Sequence, residues 1–92
     1  VTHLEYEAYD ALALKAFERI VREAEGCWPG VRLGIHHRIG RIEVGGASVA
    51  IAAASAHRGH AFSACRYAIE RIKQIAPIWK REFFDGGDVW IE

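Results

Sequence analysis

An α+β fold, with two helices packed on a largely antiparallel sheet, is predicted by three features of the 92-residue sequence. Two stretches carry apolar residues at spacings of three and four, as an amphipathic helix requires. The segments around them alternate polar with apolar residues or are rich in β-branched ones, which marks strands. Glycine- and proline-containing turns separate those segments, so neighbouring strands can pair antiparallel through short connections. No repeat and no polar linker divides the chain, and residues 1–92 read as one domain.

The elements follow in order. In THLEYEAY, Leu4, Tyr6 and Ala8 alternate with Glu5 and Glu7, the pattern of a half-buried strand. Asp10 then takes the place of a helix N-cap, and Leu14, Phe17, Val21 and Ala24 form an apolar stripe to about Glu25, where Gly26 stops the helix. Trp28-Pro29-Gly30 makes a turn. VRLGIHHRIGRI, Val31 to Ile42, is β-rich with a bend or bulge at Gly40, and Gly45-Gly46 is the next turn. ASVAIAAASA, residues 47–56, is a strand of small residues with Val49 and Ile51 on one face, which lets a helix approach closely. A second helix, His57 to Ala76, sets Phe62, Cys65, Ile69, Ile72 and Ala76 on one stripe and is ended by Pro77. In IWKREFF, Lys80, Glu82 and Phe84 share one strand face, while Trp79, Arg81 and Phe83 take the other, with the aromatics expected in the core. DGGD turns the chain into VWIE, a closing hairpin.

Composition narrows the function classes. With 51% hydrophobic and 26% charged residues the chain is an ordinary globular protein. No apolar run approaches the ~20 residues that cross a bilayer, and VTHLEYEAY has neither part of a signal peptide, so a cytoplasmic location is expected. Cys27 and Cys65 lie in different contexts and form no disulfide framework. His36 and His37 point to opposite strand faces, and no histidine falls at a zinc-ligand spacing with cysteines, so no metal is expected. The net charge of zero hides an uneven distribution: residues 1–30 sum to −3, residues 31–81 to +7 and residues 82–92 to −4. A basic centre between acidic ends suits a small anionic ligand or an acidic partner tail; solvated surface charge is the plainer reading of the count alone.

Three groups of residues offer chemistry. At SAHRGHAF, residues 55–62, a strand gives way to a helix whose first amides and positive dipole end favour an anion, and His57 and Arg58 add side-chain donors. Alternatively Ser55 caps the helix and Arg58 is simply solvated. Lys73 shares a stripe with Arg66 and Glu70; nearby cations favour a neutral amine that can move a proton or attack, whereas a Glu70–Lys73 ion pair would make it surface charge. Lys80, Arg81 and Glu82 follow the turn at Pro77, which can carry Lys80 back towards Lys73; exposed strand charge is the alternative.

Taken in order, HHRIG (36–40), SAHRGHAFSACRYAIERIK (55–73) and PIWKREFFDGGDVW (77–90) resemble the large, catalytic subunit of molybdopterin synthase, the MoaE type; LEYEAY followed by an amphipathic helix is similar to the same family. The resemblance spans essentially the whole chain. It implies an α/β-hammerhead-type fold and a homodimer that binds two small ubiquitin-like sulfur-carrier subunits, making a heterotetramer. Each carrier would bring a C-terminal Gly-Gly thiocarboxylate into a pocket where sulfur passes to cyclic pyranopterin monophosphate, forming the dithiolene of molybdopterin. By motif position, His57 and Arg58 resemble residues that hold the substrate and Lys73 the catalytic lysine, while Lys80, Arg81 and Glu82 resemble the rest of the substrate pocket. Lys80 would also stabilise developing negative charge, so no cofactor or metal is implied. Members usually begin with a further N-terminal strand and a Val-Arg element that adds an arginine to the pocket; this chain starts after that point, and the expectation is one large-subunit-like domain without that stretch.

Two other classes compete with the enzyme. A non-catalytic module would dock a ubiquitin-like tail or a phosphate ligand without turnover; retention of both Lys73 and Lys80 speaks for the enzyme. A small RNA-binding domain would need a continuous basic face, and the acidic ends argue against a long polyanion, so neither nucleic acid nor membrane is expected as a partner.

Overall fold

A computed structural model describes residues 1–91; Glu92, at the end of the predicted closing strand, lies outside the described residues. The elements are β1 (His3–Ala8), α1 (Asp10–Cys27), β2 (Arg32–His37), β3 (Gly40–Glu43), β4 (Val49–Ala54), α2 (Arg58–Ile75), β5 (Ile78–Phe84) and β6 (Gly87–Ile91). All strand pairs are antiparallel. They form two sheets: a four-stranded one in the order β3-β1-β5-β6, and a two-stranded ribbon of β2 and β4. The run from Val31 to Ile42 is therefore not a single bent strand. It leaves the ribbon after His37 and enters the larger sheet at Gly40, whose φ of +91° favours glycine over any residue with a side chain.

Both helices pack on the ribbon. Leu33 and Ile35 of β2 and Val49 and Ile51 of β4 meet a buried cluster of Ile20, Ala68 and Ile72, and Ala24, Val31 and Ala64 form a second cluster beside it. The four-stranded sheet stands at one end as a second lobe, which gives the molecule extents of 49 × 25 × 15 Å. Neither helix is long and apolar enough to cross a membrane. Both cysteines are free thiols.

Several predicted details shift, each for a local reason. Asp10 is the first residue of α1 rather than its cap; Tyr9 holds the cap position without a side-chain bond, and Asp10 instead places a carboxylate at the positive helix end. The helix passes through Gly26 and ends at Cys27, because Pro29 disfavours helical geometry at Trp28, which sits at φ −131°, ψ 81°. On α2 the buried stripe is Ala64, Ala68 and Ile72, not one that includes Phe62, which is 75% exposed. Two alanines let α1 approach closely, and Phe62 lies about 200° around the helix from Ala64, on the solvent side. The same rotation buries Ala13, Ile20 and Ala24 of α1 and leaves Leu14 exposed. Trp79 is not core: among the described residues the helices pack on the ribbon, and Trp79, exposed on the larger sheet, packs edge-on against Tyr9 with ring centroids 5.4 Å apart.

One polar contact clamps the helices together. Glu23 of α1 accepts hydrogen bonds from Tyr67 Oη (2.8 Å) and from Arg71 Nε and Nη2 (3.0 and 3.1 Å) on α2, and from Arg19 Nε (3.1 Å) on its own helix. These donors, Arg71 foremost, lower the Glu23 carboxyl from its ordinary 4.5 to about 2. A depressed folded-state pKa means that the clamp contributes fully above about pH 4.5 and is lost as pH falls towards 2. Glu23→Gln should therefore melt at a lower temperature than the unaltered chain near neutrality, and the gap should close through that acid window. A gap that stays constant down to the bottom of the window would show that the carboxylate charge is not what stabilises the contact.

Candidate functional site

Pro77 sets the site. It holds Ala76 in an extended conformation (ψ 130°), which ends α2, and the chain turns at once into β5, whose Ile78 pairs with Ala8 of β1. The last turn of the helix and the start of the strand stay side by side. Lys73 and Lys80 consequently line one pocket of about 300 Å³, located on the seam between the two lobes. Lys73 lies in the last helical turn, where the carbonyl end of α2 favours a cation. Lys80 is half-buried and stands level with Tyr6 of β1 and Ile91 of β6 in the antiparallel register.

The other lobe contributes His37 from the end of β2, with Ser48 and Val49 opposite, while Ile69, Ile72 and Ile78 supply an apolar floor. Among the described residues none that lines the pocket is acidic. Glu70, one turn before Lys73, does not neutralise it: its Oε1 accepts instead from Arg66 Nε at 3.1 Å, an exposed pair of small energetic consequence. Glu70 thus pairs with Arg66 and not, as the surface-charge alternative has it, with Lys73. Two cations over an apolar floor with no lining carboxylate suit a ring system carrying negative charge.

The other candidate residues do not join this pocket within one chain. His57 caps α2 and Arg58 begins it, so they sit about 22 Å from Lys73 along the helix axis. Both are exposed, and His57 stacks edge-on against His60 at 5.3 Å. Ser55 does not cap the helix in the usual way; its Oγ accepts from the His57 backbone N–H at 3.3 Å, and α2 has neither a side-chain cap nor an acidic residue in its first turn. That leaves the first-turn amides and Arg58 as donors for an anion. Arg81 projects from the opposite sheet face, its guanidinium 4.2 Å from the Trp90 ring centroid. Its Nε is 3.3 Å from Asp88 Oδ2, an ionic contact too poorly aligned for a hydrogen bond, so the buried Nε has no hydrogen-bond acceptor among the described residues. Glu82 shares the Lys80 face but stands about 7 Å further along β5, level with Leu4 and Val89 and outside the pocket lining.

Tyr6 and His37 belong to the pocket although sequence patterning does not single them out. Tyr6 looks like one more apolar position in an alternating strand, and His37 looks like half of a His-His pair. Among the described residues no group of three histidine, cysteine, aspartate or glutamate side chains is placed to hold a metal ion.

Comparison with known proteins bears on what such a pocket does. A family model described as MoaE protein matches residues 1–75. The molybdopterin synthase catalytic subunit of a Nostoc species is 50% identical over 93 residues, covering 99% of this chain and 56% of the relative; that of Bacillus subtilis is 50% identical over 88 residues, covering 96% and 56%. The chain thus spans about half the length of the curated relatives it matches. The crystal structure of molybdopterin synthase from Staphylococcus aureus superposes with a TM-score of 0.97 at 45% identity, covering 99% of this chain and 66% of that one. A Helicobacter pylori complex of subunits 1 and 2 of molybdopterin-converting factor superposes at 0.81 with 26% identity, covering 100% and 62%.

Proposed function

The chain belongs to the MoaE family, and from that premise we propose that it acts as the large, catalytic subunit of molybdopterin synthase, a cytoplasmic sulfurtransferase. In this reading a small ubiquitin-like carrier brings its C-terminal thiocarboxylate to the seam pocket, and sulfur passes to cyclic pyranopterin monophosphate to build the dithiolene of molybdopterin. The observation that carries the reading is the meeting of Lys73 and Lys80 on one hollow without a lining acid. The substrate is a phosphorylated ring and the carrier tail is anionic, so both match a cationic rim over an apolar floor.

The residues divide the work by position. Lys73, exposed at the helix end, serves as general acid/base while sulfur attacks a pterin carbon and oxygen departs. Lys80, half-buried, holds its ammonium where negative charge develops, and lower solvent access strengthens that interaction. His57 and Arg58 hold the substrate's charged groups; lying about 22 Å from Lys73, they reach a pocket only when a second copy of the chain presents them to it. That requirement favours a homodimer as the working unit, with two carriers completing a heterotetramer. The molybdopterin synthase structure from Staphylococcus aureus and the Helicobacter pylori complex of subunits 1 and 2 share this fold, and the second of them supports a complex with a different subunit here. Arg81 and Glu82 follow Lys80 on β5 but lie outside the seam pocket, so, like His57 and Arg58, they belong to the substrate-binding group only where a further chain completes the site.

The test is reconstitution. The chain is mixed with thiocarboxylated carrier and cyclic pyranopterin monophosphate, and dithiolene product is sought by mass spectrometry. Product formation supports the enzyme. Carrier or phosphate binding without product would instead identify a non-catalytic docking module.

A further inference from the structure

We propose that His37 is a general base of the seam pocket, acting on the water that frees the carrier; this rests on the sulfur-transfer reading above. His37 ends β2 on the face that Leu33 and Ile35 turn towards the helices, and it lines the hollow together with Lys73 and Lys80. Its Nδ1 lies 2.9 Å from the carbonyl oxygen of Arg38. A carbonyl oxygen can only accept, so Nδ1 carries the proton and the neutral ring has its lone pair on Nε2. Nε2 has no hydrogen-bond partner among the described residues.

The ring is held on more than one side. Arg38, whose carbonyl fixes the tautomer, is itself anchored by its backbone N–H donating to the Ser48 carbonyl at 2.8 Å. Tyr6 packs edge-on against the imidazole with centroids 5.0 Å apart and planes at 63°, and Tyr6 is the direct cross-strand neighbour of Lys80. A base oriented by a second group and placed beside the charged residues of a pocket is the arrangement that proton transfer needs.

The chemistry calls for such a group. Once the carrier's sulfur is bonded to a pterin carbon, the carrier's acyl carbon and the pterin share that sulfur as a thioester. Release requires water: its oxygen bonds to the acyl carbon, the acyl C–S bond breaks, and the electron pair stays on sulfur as the pterin thiolate. One proton of the water passes to His37 Nε2, and the carboxylic acid left on the carrier loses its own proton to solvent. Nothing is oxidised or reduced. The ionisable side chains lining the pocket are Tyr6, His37, Lys73 and Lys80. An ammonium has donors but no lone pair, so in that form neither lysine can take the proton.

His37→Asn tests the assignment, because the asparagine amide can keep the bond to the Arg38 carbonyl while Nε2 is removed. In the reconstituted reaction the variant should form dithiolene about 10²–10⁴-fold more slowly. Intact-mass spectra should show carrier still joined to pterin, carrier affinity should match the unaltered chain, and added imidazole should restore part of the rate. Dithiolene formation indistinguishable from the unaltered chain would overturn the role of His37 and leave sulfur transfer standing, as would a slow variant that shows neither adduct nor imidazole rescue. Failure of the unaltered chain to form any product overturns sulfur transfer and the His37 role with it. His37→Gln is read by the same criteria if the asparagine variant melts below the assay temperature.

Discussion

Lys73→Ala is expected to abolish dithiolene formation, a loss of about 10²–10⁴-fold or more for a group that moves a proton in the rate-limiting chemistry, while carrier binding stays near that of the unaltered chain. Lys73 is exposed, and Glu70, the carboxylate one turn before it, is already engaged by Arg66. Its removal leaves no buried group unpaired and opens no cavity, so folding stability should change by no more than about 0.5 kcal/mol. The substitution therefore separates chemistry from structure. Product is measured by mass spectrometry and carrier binding by titration on the same sample; full activity would remove Lys73 from the mechanism. Lys73→Arg refines the result. Arginine keeps the positive charge but does not give up its proton, so an arginine variant as inactive as the alanine one points to proton transfer, whereas recovery points to charge alone.

Ile20→Ala is expected to destabilise the fold by about 2–5 kcal/mol, the range for deleting a fully buried aliphatic side chain and leaving part of its volume empty. Ile20 is completely buried at the centre of the larger cluster, against Ala68 and Ile72 of α2. Its buried neighbours are Ala68 and Ile72, ringed by half-buried side chains such as Phe17, Leu33 and Ile35, and in a close-packed interior these refill the space only in part. A small domain has a total stability of about 5–15 kcal/mol, so this one change removes a large fraction of it. Urea denaturation should show a lower midpoint with an unchanged slope. Phe62→Ala serves as the contrast: a larger side chain is deleted, but from solvent, and the expected effect is within about 0.5 kcal/mol. If the two variants proved equally stable, the packing described for the helix pair would be incorrect.

Both helices and the strand-forming stretches are legible in the residue pattern, although Val31 to Ile42 reads as one run where the structure has β2 and β3 in separate sheets. Periodicity places α2 to within a residue at either end, since His57 and Ala76 prove to be its caps, and the Pro77 stop is a local steric effect that acts whatever surrounds it. The alternation in IWKREFF correctly separates Lys80 and Glu82 from Trp79 and Arg81. What that alternation does not reveal is which face is covered. Trp79 looks like core by composition, but the helices settle on the ribbon of β2 and β4 and leave its face of the larger sheet open.

The seam pocket follows the same division. That the chain returns towards Lys73 after Pro77 is foreseeable from one proline and one helix end; that Tyr6 and His37 complete the hollow depends on the break at Arg38-Ile39, which sends one β-rich run into two sheets. Spacing along a chain records only local geometry, repeating every 3.6 residues in a helix and every two in a strand. Which apolar stripe is buried, and which strands share a sheet, is settled by competition among contacts far apart in sequence: Ala64 and Ala68 admit α1 more closely than Phe62 could, and the rotation that results turns Phe62 to water. Elements, turns and the paired lysines were thus written into short stretches of residues, whereas the covered faces and the full lining of the pocket arise only once distant segments pack against one another.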